Sequence, residues 1–238
     1  MIPVYIVGAG PGDPDLITVR GNDLLRSADV LVYTGSLISP ALVARSPAAV
    51  KVNSHGMRLE ELVDLMEEHA RAGKTVVRLH SGDPSIFGAI VEQIAGLRAR
   101  RIGVEIVPGV SSMNAAAAAL QTQLTLRDVA EALIVARPAG KTLESDEIRE
   151  LSRHRATLVI FLGTEQMEDV LSRVECPPST PAAVVYHASW PDQKVVTGTV
   201  ADVAAKARAA GIQKTALLII GGVVDPGTGE RRRSVLYS

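Results

Sequence analysis

The stretch 75–88, TVVRLHSGDPSIFG, gathers the residues of this chain best suited to chemistry. Thr75, Val76, Val77 and Leu79 form a β-branched, apolar run bounded by Gly73 and Gly82, the pattern of a buried strand. Ser81, Gly82, Asp83 and Pro84 then turn the chain toward an amphipathic segment that starts near Ser85. In an open α/β sheet, ligands bind outside the carboxyl ends of the strands, so Ser-Gly-Asp sets small, polar and acidic groups where a ligand would arrive. The same residues also suit an ordinary strand-to-helix turn, with Asp83 and Ser85 as caps and Pro84 in the first helical turn.

A second such place follows the opening strand Val4-Tyr5-Ile6-Val7, where the chain reads Gly8-Ala9-Gly10-Pro11-Gly12-Asp13. A glycine-rich loop after a first strand suggests a dinucleotide fingerprint, in which backbone amides approach a pyrophosphate at a helix N-terminus. Three details oppose it. The third glycine falls one position early, Pro11 removes an amide donor, and Asp13 and Asp15 put negative charge where a pyrophosphate would lie. The plainer alternative is a turn built on glycine backbone angles, with Asp15 capping a helix over 16–27.

The elements that must position these loops alternate in type. Strands are predicted at 30–33, at Lys51-Val52 and at 104–107, with helices over 59–72 and 85–100 and an alanine-rich helix from Ser112 to Leu120. Strands alternating with helices of this length imply right-handed crossovers and a largely parallel sheet. Residues 1–122 therefore read as one α/β domain and 123–238 as a second. In the second, strands are expected at 132–136, 157–162, 182–186, 195–198 and 216–220, and helices over 146–154, 165–174 and 200–210. A hairpin from Ala182 to Gly198 would make that sheet mixed. Arg231 to Arg233 reads as a solvated charge run.

Composition narrows the classes of function. With 47% hydrophobic and 21% charged residues the chain has the balance of a soluble globular protein, and with only 3% aromatics its core must rest on Ala, Val, Leu and Ile. A net charge of −1 argues against a broad basic surface for nucleic acid. Cys176 is the only cysteine, so no internal disulfide or cysteine-rich zinc site can form, which fits a reducing cytoplasm. No apolar run approaches the ~20 residues needed to span a bilayer, and the N-terminus lacks the basic and apolar regions of a signal peptide. A cytoplasmic protein without membrane or nucleic-acid partners is the expectation.

Four separated segments, taken in order, carry a family resemblance: GAGPGD at 8–13, VVRLHSGDPSIFG at 76–88, VPGVSS at 107–112 and PAAVVYHASWPDQKVVTGT at 181–199. Together they resemble the tetrapyrrole (class III) methyltransferases, which use S-adenosylmethionine, over nearly the whole length. Tyr33-Thr34-Gly35-Ser36-Leu37-Ile38, His55-Gly56-Met57 followed by Leu59-Glu60-Glu61, and Ala188-Ser189-Trp190-Pro191-Asp192 are most similar to the precorrin-4 C-11 methyltransferases of corrin (cobalamin) biosynthesis. Uroporphyrinogen-III methyltransferases typically carry Asp at the place of Thr34.

The resemblance implies two α/β domains, the cofactor in a cleft between them, and a homodimer. It also implies methyl transfer from S-adenosylmethionine to C-11 of precorrin-4, giving precorrin-5 and S-adenosylhomocysteine, with no metal. Carried over by motif, Pro11, Ser81, Gly82, Asp83, Ile86, Ser111 and Ser112 would contact the cofactor from the first domain, and Leu162, Ala188 and Ala216 from the second. Leu162 stands where the family often has Met. Asp13, Thr34, Ser36, His55 and Met57 would face the macrocycle. Its acetate and propionate groups call for cations, for which Arg20, Arg58, Arg127, Arg137 and Lys194 are candidates. No catalytic residue is assigned; His187 or Asp13 could take a proton if one is released. His80, His69 and His154 suggest no metal site. Cobalt-precorrin-4 or uroporphyrinogen-III as acceptor, a nicotinamide dehydrogenase built on the Gly8 loop, and a non-catalytic ligand-binding module remain as alternatives.

Overall fold

A computed structural model describes residues 2–140 and 143–225, with Ser36 described through its backbone alone. The Arg231 to Arg233 run lies outside the described residues. The chain divides into two compact units, Met1–Ser112 and Met113–Ser238.

The first unit is built on five strands, β1 (Val4–Gly8), β2 (Val30–Tyr33), β3 (Val50–Asn53), β4 (Val76–His80) and β5 (Val104–Val107), in the order β3-β2-β4-β1-β5. Every pairing is parallel, so the sheet is wholly rather than largely parallel. The central strands β1, β2 and β4 are almost wholly buried because helices cover both faces of the sheet. On one face α1 (Val19–Ser27) and α2 (Pro40–Arg45) bring Leu25 and Leu42 against Val7, Leu31, Val77, Leu79 and Val107. On the other, α3 (Leu59–Arg71) and α4 (Val91–Ala99) bring Leu62, Val63, Met66 and Leu97 against Val30, Val32 and Val76.

Strand order decides where this unit can hold a ligand. From β1 the chain leaves through α1 toward β2, whereas from β4 it leaves through α4, on the opposite face, to reach β5 beyond β1. The loops after β1 and β4 thus part company between neighbouring strands, which is the switch point where open α/β sheets bind ligands.

Two helices here start later than their periodicity suggests. Residues 14–16 form a separate 3-10 turn capped by the Asp13 carboxylate, and α1 begins only after Thr18, whose hydroxyl accepts from the Gly21 amide. Asp15 is therefore not its cap. The helix expected over 85–100 is confined to Val91–Ala99. Phe87 and Ala89 adopt left-handed angles (φ 52° and 47°), which no helix tolerates. Between them, a Cβ on Gly88 would sit 2.1 Å from the Pro84 carbonyl oxygen.

The second unit opens with α5 (Ser112–Ala119), whose last seven residues lie in it, and adds β6 (Leu133–Ala136), α6 (Ile148–Leu151), β7 (Thr157–Ile160) and α7 (Met167–Arg173). It ends with β8 (Pro181–Tyr186), β9 (Lys194–Thr199), α8 (Val203–Ala209) and β10 (Ala216–Ile220). Ala115, Ala116 and Ala117 of α5 are buried against Val159, Ala183, Val185, Leu217 and Ile219 of this unit's sheet. The sheet order is β6-β7-β10-β8-β9; β6 and β7 are parallel and every other pair, including the β8/β9 hairpin, is antiparallel. Helices α6, α7 and α8 cover the face opposite α5. They are shorter than the expected 146–154, 165–174 and 200–210, because their first residues are spent in turns and a 3-10 segment.

Candidate functional site

In the first unit three backbone segments are drawn together at the β1/β4 switch point. Gly10 and Gly82 exchange amide-to-carbonyl hydrogen bonds of 3.2 and 2.8 Å, and Ala9 donates to the His80 carbonyl at 2.7 Å. The loop after β5 closes on the same spot: a Cβ on Gly109 would lie 2.3 Å from the Gly82 carbonyl oxygen and 2.8 Å from the Cα of Gly8. No side chain fits there. Asp83 fastens the arrangement, accepting from the Gly109 amide and from the Ser85 amide, both at 2.8 Å, and from the Ser85 hydroxyl. Partial burial raises the pKa of this carboxyl, but the three hydrogen bonds outweigh it and hold it below the usual carboxylate range.

Of the residues proposed by resemblance to contact a cofactor, the first unit places Pro11, Ser81, Gly82, Asp83 and Ile86 on the two loops of this switch point and Ser111 and Ser112 just beyond Gly109. Gly82 is left-handed (φ 61°), and a Cβ there would point at Ser111 Cα and Ser112 N, both 3.8 Å away. That shallow space, floored by main chain, is a fitting cradle for a polar ligand held through amides and carbonyls. Asp83, by contrast, spends its oxygens on the loops themselves.

In the second unit Leu162, Ala188 and Ala216 also come to one edge. β7 and β8 both run antiparallel to β10, so the ends of β7 and β8 meet the start of β10, and the register sets Ala216 opposite Tyr186. Leu162 (φ 57°), His187 (47°), Ser189 (71°) and Thr215 (58°) all take left-handed backbone angles at this edge. Each costs at least about 1 kcal/mol in a non-glycine residue, and together they claim a sizeable part of a typical stability of ~5–15 kcal/mol. Left-handed non-glycine residues persist only where the surrounding structure holds them. Thr164 pins the edge, its hydroxyl accepting from the Ala216 amide (3.1 Å) and donating to the Ala216 carbonyl (2.9 Å).

The loop after Tyr186 is built around His187. Its ring stacks on Tyr186 (centroids 3.8 Å, 15°) and leans on Trp190 (5.1 Å, 31°). Nδ1 lies 3.0 and 3.1 Å from the two Asp192 oxygens, and the hydrogen bond from His187 holds the Asp192 carboxyl below its ordinary range. The Tyr186 hydroxyl also bonds Asp192; burial and that negative charge push its pKa up.

The residues assigned to the macrocycle follow β1, β2 and β3. Asp13 caps its 3-10 turn, Thr34 follows β2, and His55 and Met57 follow β3 in the turn leading to α3; the Ser36 side chain lies outside the described residues. Among the five candidate cations, Arg20 pairs with Glu105, Arg58 with Glu61 (3.0 Å) and Arg127 with Asp128 (3.9 Å), while the Lys194 ammonium donates to the Ala210 carbonyl (2.9 Å). Arg137 follows β6 directly, at the edge that carries Leu162.

One cation was missed by sequence reasoning. Arg78, in the middle of β4, is only 3% exposed, and its guanidinium meets a neutral partner, the Gln93 oxygen (Nε to Oε1 3.3 Å), while one terminal nitrogen has no partner. Burial lowers its pKa to about 10. The Thr34 hydroxyl, on the adjacent strand's end, is likewise buried without a partner. Strand alternation puts Arg78 on the Val76 face, beneath α4. An arginine inside an apolar strand was the available signal, and it read as an interruption rather than a site. His80, two residues on, has its pKa lowered by burial, in part against hydrogen bonds to the Ser81 and Gly88 carbonyls.

A depression of about 320 Å³ lies elsewhere in the second unit, between α7 and α8, lined by Glu165, Glu168, Asp169 and Arg208. It touches the strained edge only through Thr164. Among the described residues no three His, Cys, Asp or Glu side chains gather to hold a metal ion, and no helix is long and apolar enough to cross a membrane.

The profile of the tetrapyrrole (corrin/porphyrin) methylases matches residues 3–204. The chain belongs to that family. It is 48% identical over 229 residues to the cobalt-precorrin-4 C(11)-methyltransferase of Methanocaldococcus jannaschii, covering 94% of this chain and 88% of that protein. It is 44% identical over 225 residues to the precorrin-4 C(11)-methyltransferase of Pseudomonas aeruginosa, covering 93% and 90%. The X-ray structure of a cobalt precorrin-4 methyltransferase superposes with a TM-score of 0.90 at 43% identity, over 94% of this chain and 96% of that one. Uroporphyrin-III C-methyltransferase of Thermus thermophilus, solved with S-adenosyl homocysteine, superposes with a TM-score of 0.82 at 33% identity, over 94% and 100%. A parallel first sheet and a mixed second sheet are thus those of tetrapyrrole methylases, and the dinucleotide reading of the Gly8 loop is displaced by a methyltransferase family.

Proposed function

We propose that this protein transfers the methyl group of S-adenosylmethionine to C-11 of precorrin-4, releasing precorrin-5 and S-adenosylhomocysteine, as a step of corrin biosynthesis. The observation that carries the reading is identity of 44–48% over nearly the whole length to proteins named for that reaction. The main-chain cradle at Gly82 and the strained edge at Ala188 support it, since the donor's ammonium, carboxylate and adenine suit backbone amides and carbonyls beside apolar walls.

In this reading Pro11, Ser81, Gly82, Ile86, Ser111 and Ser112 of the first unit contact the donor, as do Leu162, Ala188 and Ala216 of the second. Asp83 serves chiefly to hold the loops. Asp13, Thr34, Ser36, His55 and Met57 face the macrocycle. Methyl transfer is an in-line displacement, so alignment of carbon, methyl and sulfur is the main task, and alignment can supply up to roughly 7–11 kcal/mol of the barrier. No metal need take part. The protein works as a homodimer in the cytoplasm, and the functional division of the chain follows the compact units.

Mass spectrometry on purified precorrin-4, with and without cobalt, tests the reading. The expected result is one added methyl on the metal-free compound. Transfer only to the cobalt complex would move the acceptor to the metallated form named for the archaeal relative, and transfer only to uroporphyrinogen-III would overturn the acceptor altogether.

A further inference from the structure

The reaction just proposed has a proton to dispose of. The sulfonium donor is cationic and leaves as a neutral thioether: the carbon–sulfur bond breaks with its electron pair on sulfur, and the new carbon–carbon bond takes its pair from the enamine-like acceptor carbon. The positive charge passes to the macrocycle and is discharged only when a conjugated nitrogen gives up its hydrogen. A base of fitting geometry at the donor's edge would take that hydrogen within the same step.

We propose that His187 is that base, its Nε2 receiving the proton while Asp192 holds Nδ1; the assignment rests on the methyltransferase reading above.

Three observations meet here. The first is the tautomer. An ionised carboxylate can only accept, so a ring nitrogen 3.0 and 3.1 Å from the two Asp192 oxygens must carry a hydrogen, and in the neutral ring the lone pair then sits on Nε2. After transfer the same carboxylate faces an imidazolium and stabilises it. The second is rigidity. Stacking on Tyr186, contact with Trp190 and the hydrogen bond from the Ser189 amide to the Gln193 oxygen (2.7 Å) fix the ring on a short loop. His187 and Ser189, on either side of Ala188, take left-handed angles that fix the course of the loop. The third is access: the His187 side chain is 21% exposed, so the ring is held yet not sealed. Lys194, paired with Tyr186 across the hairpin, spends its ammonium on the Ala210 carbonyl.

The alternative is that the histidine and aspartate merely close the β8/β9 loop. Replacing His187 by Asn separates the two, because the Asn amide can still donate to Asp192 but offers no basic nitrogen. His187→Asn is expected to leave the thermal midpoint at the wild-type value and S-adenosylhomocysteine affinity within about twofold of wild type. Its kcat with precorrin-4 should fall by about 100-fold or more, the acid limb of the kcat–pH profile should vanish, and added imidazole should restore part of the rate. Asp192→Asn, which frees the tautomer, should lower kcat less and shift that limb. A His187→Asn protein with wild-type kcat and an unchanged pH profile would overturn the assignment while leaving the methyltransferase intact. Loss of affinity and midpoint together, without rescue by imidazole, would also overturn it, in favour of loop closure. Wild-type protein that binds S-adenosylhomocysteine yet methylates no tetrapyrrole would overturn both proposals.

Discussion

At the carboxyl ends of β1 and β4 the backbone turns left-handed on glycines, Gly10 and Gly82. At one edge of the second sheet the same region of backbone space is taken by Leu162, His187, Ser189 and Thr215. At Gly10 and Gly82 the turn is therefore cheap in backbone energy, with the left-handed Phe87 and Ala89 lying further along the β4 loop, and the edge is intolerant of side chains, because three loops approach to within a Cβ of one another. The second edge is costly in backbone energy and uses its side chains, with a threonine pinning β10 and a histidine clamped by an aspartate and two aromatic rings. The difference teaches a division of labour: a surface of amides and carbonyls suits the donor every member of such a family must hold, while a side-chain-built loop can carry chemistry.

Substitutions can break that contrast. The largest effect is expected for Gly109→Ala, whose Cβ would fall 2.3 Å from a carbonyl oxygen that cannot move without β4. Calorimetry should show S-adenosylhomocysteine affinity reduced by about 100-fold or more, equivalent to roughly 3 kcal/mol. Near-normal affinity would show that the three loops are not one cradle.

Asp83→Asn comes next, since it weakens the fastening without blocking the space. A loss of about 1–2 kcal/mol in urea unfolding at pH 7 is expected from the charge-assisted hydrogen bonds. The sign of its pH dependence follows from the lowered folded pKa. The extra stability of the wild type is complete above the ordinary carboxylate value near 4 and is lost as pH falls through the lower folded value, so the two proteins should converge in acid. A gap that persists at low pH would mean that Asp83 acts through packing rather than charge.

Arg78→Met examines a feature of the first unit that is built from buried side chains. Removing a buried cation with no acidic partner among its hydrogen bonds should leave stability unchanged or raise it by about 1 kcal/mol. A strong loss would mean that Gln93 and the strand carbonyls offset the buried charge. The smallest effect is expected at Leu162, 64% exposed and left-handed. Leu162→Gly relieves backbone strain while losing little burial, for a net gain of up to about 0.5 kcal/mol after the added freedom of the unfolded chain, together with weaker donor binding. Falling stability would show that the side chain, rather than the strain, is what the edge retains.

Much of the fold is legible in the residues. Val4 to Val7, Val30 to Tyr33 and Ala216 to Ile220 are short apolar runs between turn residues, and all are strands because local pattern and burial agree. Legibility fails where backbone conformation is imposed from outside the segment. The residues Ser85 to Ile90 have helix-compatible types, yet Phe87 and Ala89 are turned left-handed around Gly88, and the helix waits until Val91. Arg78 interrupts a strand pattern, and nothing local tells that its guanidinium is shut in with Gln93.

By itself the sequence determined the two-sheet plan, the family through four ordered segments, and the loops after the first and fourth strands as the place for a ligand. These are properties of periodicity and of turn chemistry, which act over a few residues. Only the tertiary structure decided that Gly8, Gly82 and Gly109 are mutual neighbours and that three strand ends of the second sheet share one edge. It alone paired His187 with Asp192 in a geometry that leaves one ring nitrogen free. The reason is physical: strand order and register are set by how two layers of helices bury both faces of a sheet, and that packing balance is not written in any single segment.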